Sequence, residues 1–397
     1  MKKLLAIVVV LLLLVVSVPA AMVLAGVVSP SSFKMIWNVI GSGGGDPVTA
    51  EQVESRYQVP PGFAVDLFEP ELPKARMLRF TPAGDLLVSR PKAGDVVLLH
   101  RDENGDGRSD GMTTVLSGLN LPLGIDLHED WLYVAEKTQV GRVRFDSEAR
   151  SLAGEYTAIV PGLTGDGNHW QKVLRVGPDG LLYLTQGSTC NVCVEDDPRR
   201  ATMMRFALDG SNGEMIASGL RNSVGFDWAH WSGELYATDN GRDLLGDDYP
   251  PCELNRIEAG AFYGWPYYHG NNDPDPDMGP DPLAGERNPV GIVHGFRAHN
   301  APLGIRFIDG DGLPPQFARS ALVALHGSWN RSVPDGYKVV SLHWTDTGIE
   351  ERPFLDGLNR DGDIIGRPVD ATRGPDGAIY ISDDYAGAIY RVVYSGE

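Results

Sequence analysis

The 397-residue chain has little cysteine, few positive charges and no dinucleotide signature, and each shortage narrows what it can do. Its three cysteines are Cys190, Cys193 and Cys252. One C-N-V-C pair without further ligands at fitting spacing does not make a zinc site. A thioredoxin-like role would need the pair at a helix start in a βαβ context, which is absent. The same spacing suits a tight disulfide in an oxidising compartment, with Cys252 left free or buried. Lys and Arg total 34 against 53 Asp and Glu, a net charge of −19. Such a surface repels nucleic acid and anionic lipid headgroups but is compatible with sugars, cations and basic protein partners. No strand–GxGxxG–helix unit is present, so nothing reads as a nicotinamide site.

At the N-terminus, Lys2 and Lys3 precede an uncharged run from Leu4 to about Val28. That run is longer than the ~7–15-residue core of a usual signal peptide and long enough to span a bilayer. Residues 1–28 therefore read as a membrane anchor or a signal, with V-L-A before Gly26 as a candidate cleavage site. Either way the bulk of the chain is exported to the periplasm or another extracytoplasmic space, and the membrane is met only through this segment. No cysteine ends the run, which argues against a lipoprotein. Residues 29–57, with S-P-S-S and G-S-G-G-G-D, read as a flexible linker.

From residue 58 to 397 one pattern recurs, a turn followed by a short aromatic or branched strand. The strand centres are Leu87, Tyr133, Tyr183, Tyr236, Val323 and Tyr380. Repeats of about 40–50 residues, each a small sheet, indicate a β-propeller, so six copies predict an all-β, six-bladed propeller. The long interval before Val323 holds a Pro/Asp/Gly-rich insertion, about residues 266–300. The last strand, 389–394, is expected to pair with 63–68 and close the ring. Each copy runs into a polar loop, and in a propeller equivalent loops gather at one mouth.

Several residues could carry chemistry there. His169, in a glycine-rich loop, could be a general base. Arg221 stays charged and could stabilise an oxyanion, and Asn222 follows it. Arg331 and Arg367 sit in further loops, and clustered arginines in so acidic a chain point to an anionic ligand. The glycine in D-N-G-R-D (239–243) permits a turn that aims carbonyls at a hard cation. D-E-N-G-D-G-R-S-D (102–110) resembles a calcium loop without its closing glutamate and reads as structural. Trp170 and Trp329, in candidate mouth loops, could stack on a planar cofactor or a sugar.

Taken together, the motifs resemble the glucose/sorbosone dehydrogenases, soluble-type quinoprotein propellers that use pyrroloquinoline quinone, and among them the sorbosone branch. The resemblance rests on H-W-x-x-x-L-R-V-G-P-D-G (169–180), S-T-C-N-V-C-V-E (188–195), G-L-R-N-S-V-G-F (219–226), D-N-G-R-D-L-L-G-D-D (239–248), E-L-N-R-I (253–257), Y-G-W-P (263–266) and H-G-S-W-N-R-S (326–332). It spans roughly residues 58–394. It implies oxidation of a sugar or related aldehyde or hemiacetal by hydride transfer to the quinone, with His169 as base. It further implies that Arg221 stabilises the resulting oxyanion, that Asn222, Arg331, Arg367 and Asp384 contact the cofactor, and that the carbonyls of Gly241 and Arg242 hold calcium. A cytochrome or a membrane quinone would accept the electrons. Two other readings remain at this stage: a metal-dependent sugar lactonase centred on Glu136, Asn222 and Asp239, and a non-catalytic propeller that binds an envelope partner.

Overall fold

The computed structural model describes residues 23–25, 29, 30, 32–34 and 44–396. The apolar run 4–28 lies, apart from residues 23–25, outside the described residues. Among the described residues no helix is long and apolar enough to cross a membrane.

Six four-stranded antiparallel blades surround a central axis. From the axis outward, blade 1 comprises Leu78–Phe80, Leu86–Arg90, Asp95–Leu99 and Met112–Leu116. Blade 2 runs Ile125–His128, Trp131–Ala135, Val140–Asp146 and Thr157–Val160. Blade 3 runs Lys172–Val176, Leu182–Gln186, Thr202–Phe206 and Glu214–Ser218. Blade 4 runs Gly225–Trp228, Leu235–Asp239, Cys252–Ile257 and His294–Phe296. Blade 5 runs Pro302–Ile308, Ser320–Leu325, Lys338–Thr345 and Gly348–Leu355. Blade 6 takes Pro368–Arg373, Ile379–Asp383 and Ala388–Tyr394, and its outermost strand is the N-terminal Phe63–Glu69.

Every repeat seen in the sequence is the second strand of a blade. These strands are covered on both faces by neighbouring blades, so they are buried along nearly their whole length and read as continuous apolar runs. The turn that precedes them has a physical cause as well. Gly84, Gly180, Gly233 and Gly377 each sit two residues before such a strand with φ of 93°, 72°, 72° and 82°, a conformation that favours glycine. The expected closure is present, with Phe63 opposite Tyr394 and Glu69 opposite Ile389. The insertion lies in blade 4, between Ile257 and His294. Its start pairs in parallel with the outer edge of blade 3, Ala217 opposite Ala261.

The flexible-linker expectation for 29–57 needs correction: Ser32 is buried and donates to the Ser328 carbonyl, and the Gly45 N–H donates to the Tyr385 carbonyl at 2.7 Å. Ala50–Arg56 is a helix with a complete capping box between Thr49 and Gln52. Val48 before the cap and Val53 in the first turn are buried in one cluster with blades 5 and 6. Arg56 bonds Asp363 at 2.6 Å and the Tyr57 hydroxyl meets that of Tyr390 at 2.8 Å. Apolar anchors on both sides of the cap dock this segment onto the closing blades.

The six innermost strands alternate in charge: Arg79, Asp126, Arg175, Asp227, Arg306 and Asp370 in blades 1 to 6. Each arginine pairs with the aspartate of the next blade, Arg79 with Asp126, Arg175 with Asp227 and Arg306 with Asp370. Each aspartate also accepts a backbone N–H from the blade that follows it: Val176 at 2.7 Å, Phe307 at 2.9 Å and Leu78 at 3.1 Å. The axis is thus closed by a pseudo-threefold ring of buried ion pairs.

Candidate active site

Blades 3 and 4 bring together His169, Arg221, Asn222 and Gly241. The His169 loop is held from beneath by two buried basic side chains. Arg200 donates to the carbonyls of Thr164, Asp166, His169, Gly187 and Ser188, at 2.5 to 3.1 Å. Lys172 Nζ donates to Lys137, Thr164 and Trp170 carbonyls at 2.7, 2.8 and 3.3 Å. A loop without regular secondary structure is fixed in this way by side chains that satisfy its carbonyls. His169 Nδ1 lies 2.8 Å from Ser188 Oγ. Burial and then the Arg221 charge push the His169 pKa down to about 3, so the imidazole is neutral at ordinary pH. Asn222 Oδ1 lies across Gly187 from His169; a Cβ on that glycine would come 2.7 Å from the Asn222 oxygen and 2.6 Å from His169 Cβ.

Arg221 is buried and its five N–H groups are all engaged. Nε donates to the Asn191 carbonyl at 2.9 Å. Nη1 donates to the carbonyls of Asn240 and Gly241 at 3.0 and 2.9 Å. Nη2 donates to Asn191 Oδ1 and Asp243 Oδ2 at 2.8 and 3.1 Å. In this arrangement Arg221 contributes field and scaffold rather than a free donor. The Gly241 carbonyl, expected on a cation, accepts from Arg221. Arg242 points its guanidinium away, to Asp275 at 2.6 Å and Asp277 at 2.9 Å, where it pins the insertion.

A second cluster lies across the mouth. His326 accepts from Arg367 Nη2 at Nδ1 (2.8 Å) and donates from Nε2 to Asp384 at 3.0 Å. Asp384 also binds Arg76 Nη1 at 2.5 Å. Burial works against the Asp384 charge, but His326 and Arg76 hold its carboxyl well below the usual range. Burial and then Arg367 bring His326 down to about 4. Arg76 and Asp384 line a small cleft with Lys74, Lys92, Trp170 and Gln171. Trp170 therefore connects the His169 loop to a cationic cleft. Trp329 is partly exposed on its own loop.

Arg331 does not join this cluster. Its guanidinium is held by the Asp247 and Ala298 carbonyls and by Asp248 at 3.1 Å, so it braces the loop after Asp243. The cofactor contact expected of it is corrected on that ground: a buried arginine with these acceptors has no reach into the cleft. The lactonase set also fails to form. Glu136 accepts from the Asn120 N–H at 2.6 Å, Gln139 at 2.5 Å and Tyr156 at 2.9 Å, which engages both carboxylate oxygens away from Asn222 and Asp239.

A family model described as TrAA12-like matches residues 57–255 and 287–395. The chain belongs to the TrAA12-like family. An uncharacterised protein of Borreliella burgdorferi is 31% identical over 363 residues, covering 87% of this chain and 93% of that one. Two solved structures share the fold. One is a family AA12 carbohydrate-active enzyme of Trichoderma reesei, with TM-score 0.75 and 21% identity, covering 86% of this chain and 98% of that one. The other is the holo form of the PQQ domain of a pyranose dehydrogenase from Coprinopsis cinerea, with TM-score 0.71 and 22% identity, covering 85% and 97%.

The residues of this TrAA12-like propeller fit an anionic, planar cofactor. Lys74, Arg76 and Lys92 surround the cleft with one acid, Asp384, among them. Arg76 Nε is buried with no hydrogen-bond partner among the described residues, as are the Nε atoms of Arg56, Arg175 and Arg242. For a divalent cation, a buried acid pair stands beside the 239–243 turn that carries the Gly241 and Arg242 carbonyls. Asp239 and Glu253 face each other across blade 4. Burial and then the Glu253 charge raise the Asp239 pKa, and burial raises Glu253 to about 7. A cation near Gly241 would offset that charge.

Ser188, Asn191 and His326 stand inside the motifs 188–195 and 326–332 but had no role assigned from sequence, and neither had Arg76 or Arg200. Arg200 and Arg76 had no local signal, because an arginine in a loop does not reveal which carbonyls or carboxylates it will meet.

The two remaining expectations about cysteine and the 102–110 loop are met in different ways. Cys190 and Cys193 are bridged, and Cys252 is free and buried. In the 102–110 loop, Asp102 accepts the N–H groups of Gly105, Asp106 and Gly107, and Asn104 accepts that of Asp106, so these side chains organise the turn themselves.

Proposed function

We propose that the chain is a quinoprotein oxidoreductase that oxidises a sugar or a related aldehyde or hemiacetal, aldose- or sorbosone-like, with pyrroloquinoline quinone as hydride acceptor. The observation that carries this reading is a neutral, half-buried histidine whose loop leads through Trp170 into a cleft lined by Lys74, Arg76 and Lys92. His169 accepts the proton of the substrate hydroxyl, which a neutral imidazole can do and an imidazolium cannot. Arg221 places fixed positive charge beside it, and burial together with that charge keeps the histidine neutral. Lys74, Arg76, Lys92 and Arg367 hold the carboxylates of the cofactor, and Trp170 covers its plane. When bound, the quinone supplies an electrophilic carbon for the hydride. Calcium is part of the proposal, beside the Gly241 carbonyl with Asp239 and Glu253 as the compensating charge. We further propose export to the periplasm or another extracytoplasmic space, and a cytochrome or membrane quinone as electron acceptor.

The test is a titration of the purified full chain with pyrroloquinoline quinone, with and without calcium, followed by absorbance and calorimetry. Tight binding that calcium strengthens, and that Arg76→Gln weakens, is the expected result. Folded protein that binds no quinone overturns the reading.

A further inference from the structure

Ser188 lies between His169 and the carbonyl of Cys190. Its Oγ donates to that carbonyl at 2.7 Å. A serine hydroxyl has one proton, so toward His169, 2.8 Å away, Ser188 Oγ can only accept. With the hydroxyl proton directed at the carbonyl, the proton of the neutral imidazole sits on Nδ1 and Nε2 carries the lone pair. Which nitrogen is basic is decided by a carbonyl at the edge of the disulfide ring.

The same ring carries Asn191. Its carbonyl accepts from Arg221 Nε at 2.9 Å and from the Trp265 indole at 3.3 Å. Its side-chain oxygen accepts from Arg221 Nη2 and from the Asp243 N–H, both at 2.8 Å, and its amide donates to the Asp243 carbonyl at 3.1 Å. Asn191 thus ties together the loop of blade 3, Arg221, the 239–243 turn of blade 4 and the insertion. Five hydrogen bonds from one loop residue need its backbone and side chain held in one geometry. The Cys190–Cys193 bridge closes around it and does that. Both cysteines are half-buried and the following Val194 is exposed, so a small reductant can reach the bridge.

We propose that the disulfide-closed loop 188–193 is the positioning element of this site. It fixes the proton of His169 on Nδ1 through Ser188, holds Arg221 through Asn191, and lets a dithiol reductant lower activity by opening Cys190–Cys193. In that step the reductant's two thiols give two electrons and two protons to the bridge, leaving two cysteine thiols and an oxidised dithiol. The effect on turnover rests on the proposed dehydrogenase reading; the tautomer does not.

Histidine nitrogen NMR of the full chain without cofactor reads the tautomer directly. The expected result is Nδ1–H at His169 in the wild type and a mixture of tautomers in Ser188→Ala. That variant should lose roughly 10- to 100-fold in kcat while its quinone Kd stays within about twofold. Dithiothreitol treatment should add two alkylatable thiols, raise the quinone Kd and lower kcat, with recovery on reoxidation and an unchanged circular dichroism spectrum. Nε2–H in the wild type overturns the relay. Unchanged kcat and Kd after complete reduction overturns the redox control. If reduction unfolds the chain, the tautomer and the Ser188→Ala arms still decide. A chain with the expected tautomer that binds no quinone would bring down the dehydrogenase reading and leave the relay standing.

Discussion

Two buried charge systems lie close to the axis of this propeller, and they are built on opposite plans. The ring of Arg79–Asp126, Arg175–Asp227 and Arg306–Asp370 repeats one pairing every two blades. The mouth cluster of His169, Ser188, Asn191, Arg221 and Asp243 occurs once, on blades 3 and 4, with no counterpart elsewhere among the described residues. The ring joins every blade to its neighbour, and the same contact three times over serves stability. Chemistry needs an asymmetric arrangement, with one base, one charge and one cleft. The comparison teaches that the repeat supplies the frame and that the site is a local departure from it.

The sharpest way to break this comparison is to separate turnover from stability. His169→Ala should lower kcat by roughly 10²- to 10⁴-fold, the usual worth of a positioned base, while quinone binding and the melting temperature hold. Steady-state kinetics beside calorimetry reads both; unchanged turnover would remove the base. Asp227→Asn should do the reverse. It strands Arg175 and costs roughly 3–5 kcal/mol of stability, read by urea denaturation, with little change in quinone affinity per folded molecule. A loss of affinity without loss of stability would erase the division between ring and mouth.

A finer test is pH. With a His169 pKa of about 3, protonation falls tenfold for each unit above it, so the free enzyme keeps a neutral base. The kcat/KM profile should then show no acid limb from His169 between about pH 5 and 8. A limb near 6.5 that disappears in Ser188→Ala would contradict the burial argument. The smallest effect concerns the N-terminal helix. Thr49→Ala removes its cap and should cost about 1 kcal/mol, with kinetics unchanged. A large kinetic effect would mean that the helix acts on the site through Gly45, whose N–H bonds the Tyr385 carbonyl beside Asp384.

Much of the frame was readable because burial on both faces forces the second strands into apolar runs after a left-handed turn residue. The closing strand and the Cys190–Cys193 bridge followed from position and spacing. The helix at 50–56 was also written in the chain, as Thr49-x-x-Gln52 between Val48 and Val53, but a glycine-rich stretch just before it masked the signal. The ring had a pattern too: L-R-F, L-R-V and I-R-F alternate along the chain with I-D, F-D and V-D. It becomes meaningful only once those strands are known to be innermost, where an isolated charge would be costly.

The site was legible as a set of residues and not as a set of roles. His169, Arg221 and Asn222 do meet, and Arg367 and Asp384 meet through His326. Arg331, the same residue type in a similar loop, turns to Asp248 instead. The sequence by itself determined what short-range physics can carry: blade count, turn positions, the bridge between cysteines three residues apart and the acidic surface. Only the tertiary structure decided which way each long cationic side chain points and which carbonyls and carboxylates it meets. Those outcomes depend on acceptors tens to hundreds of residues away in the chain, and no local pattern encodes that distance.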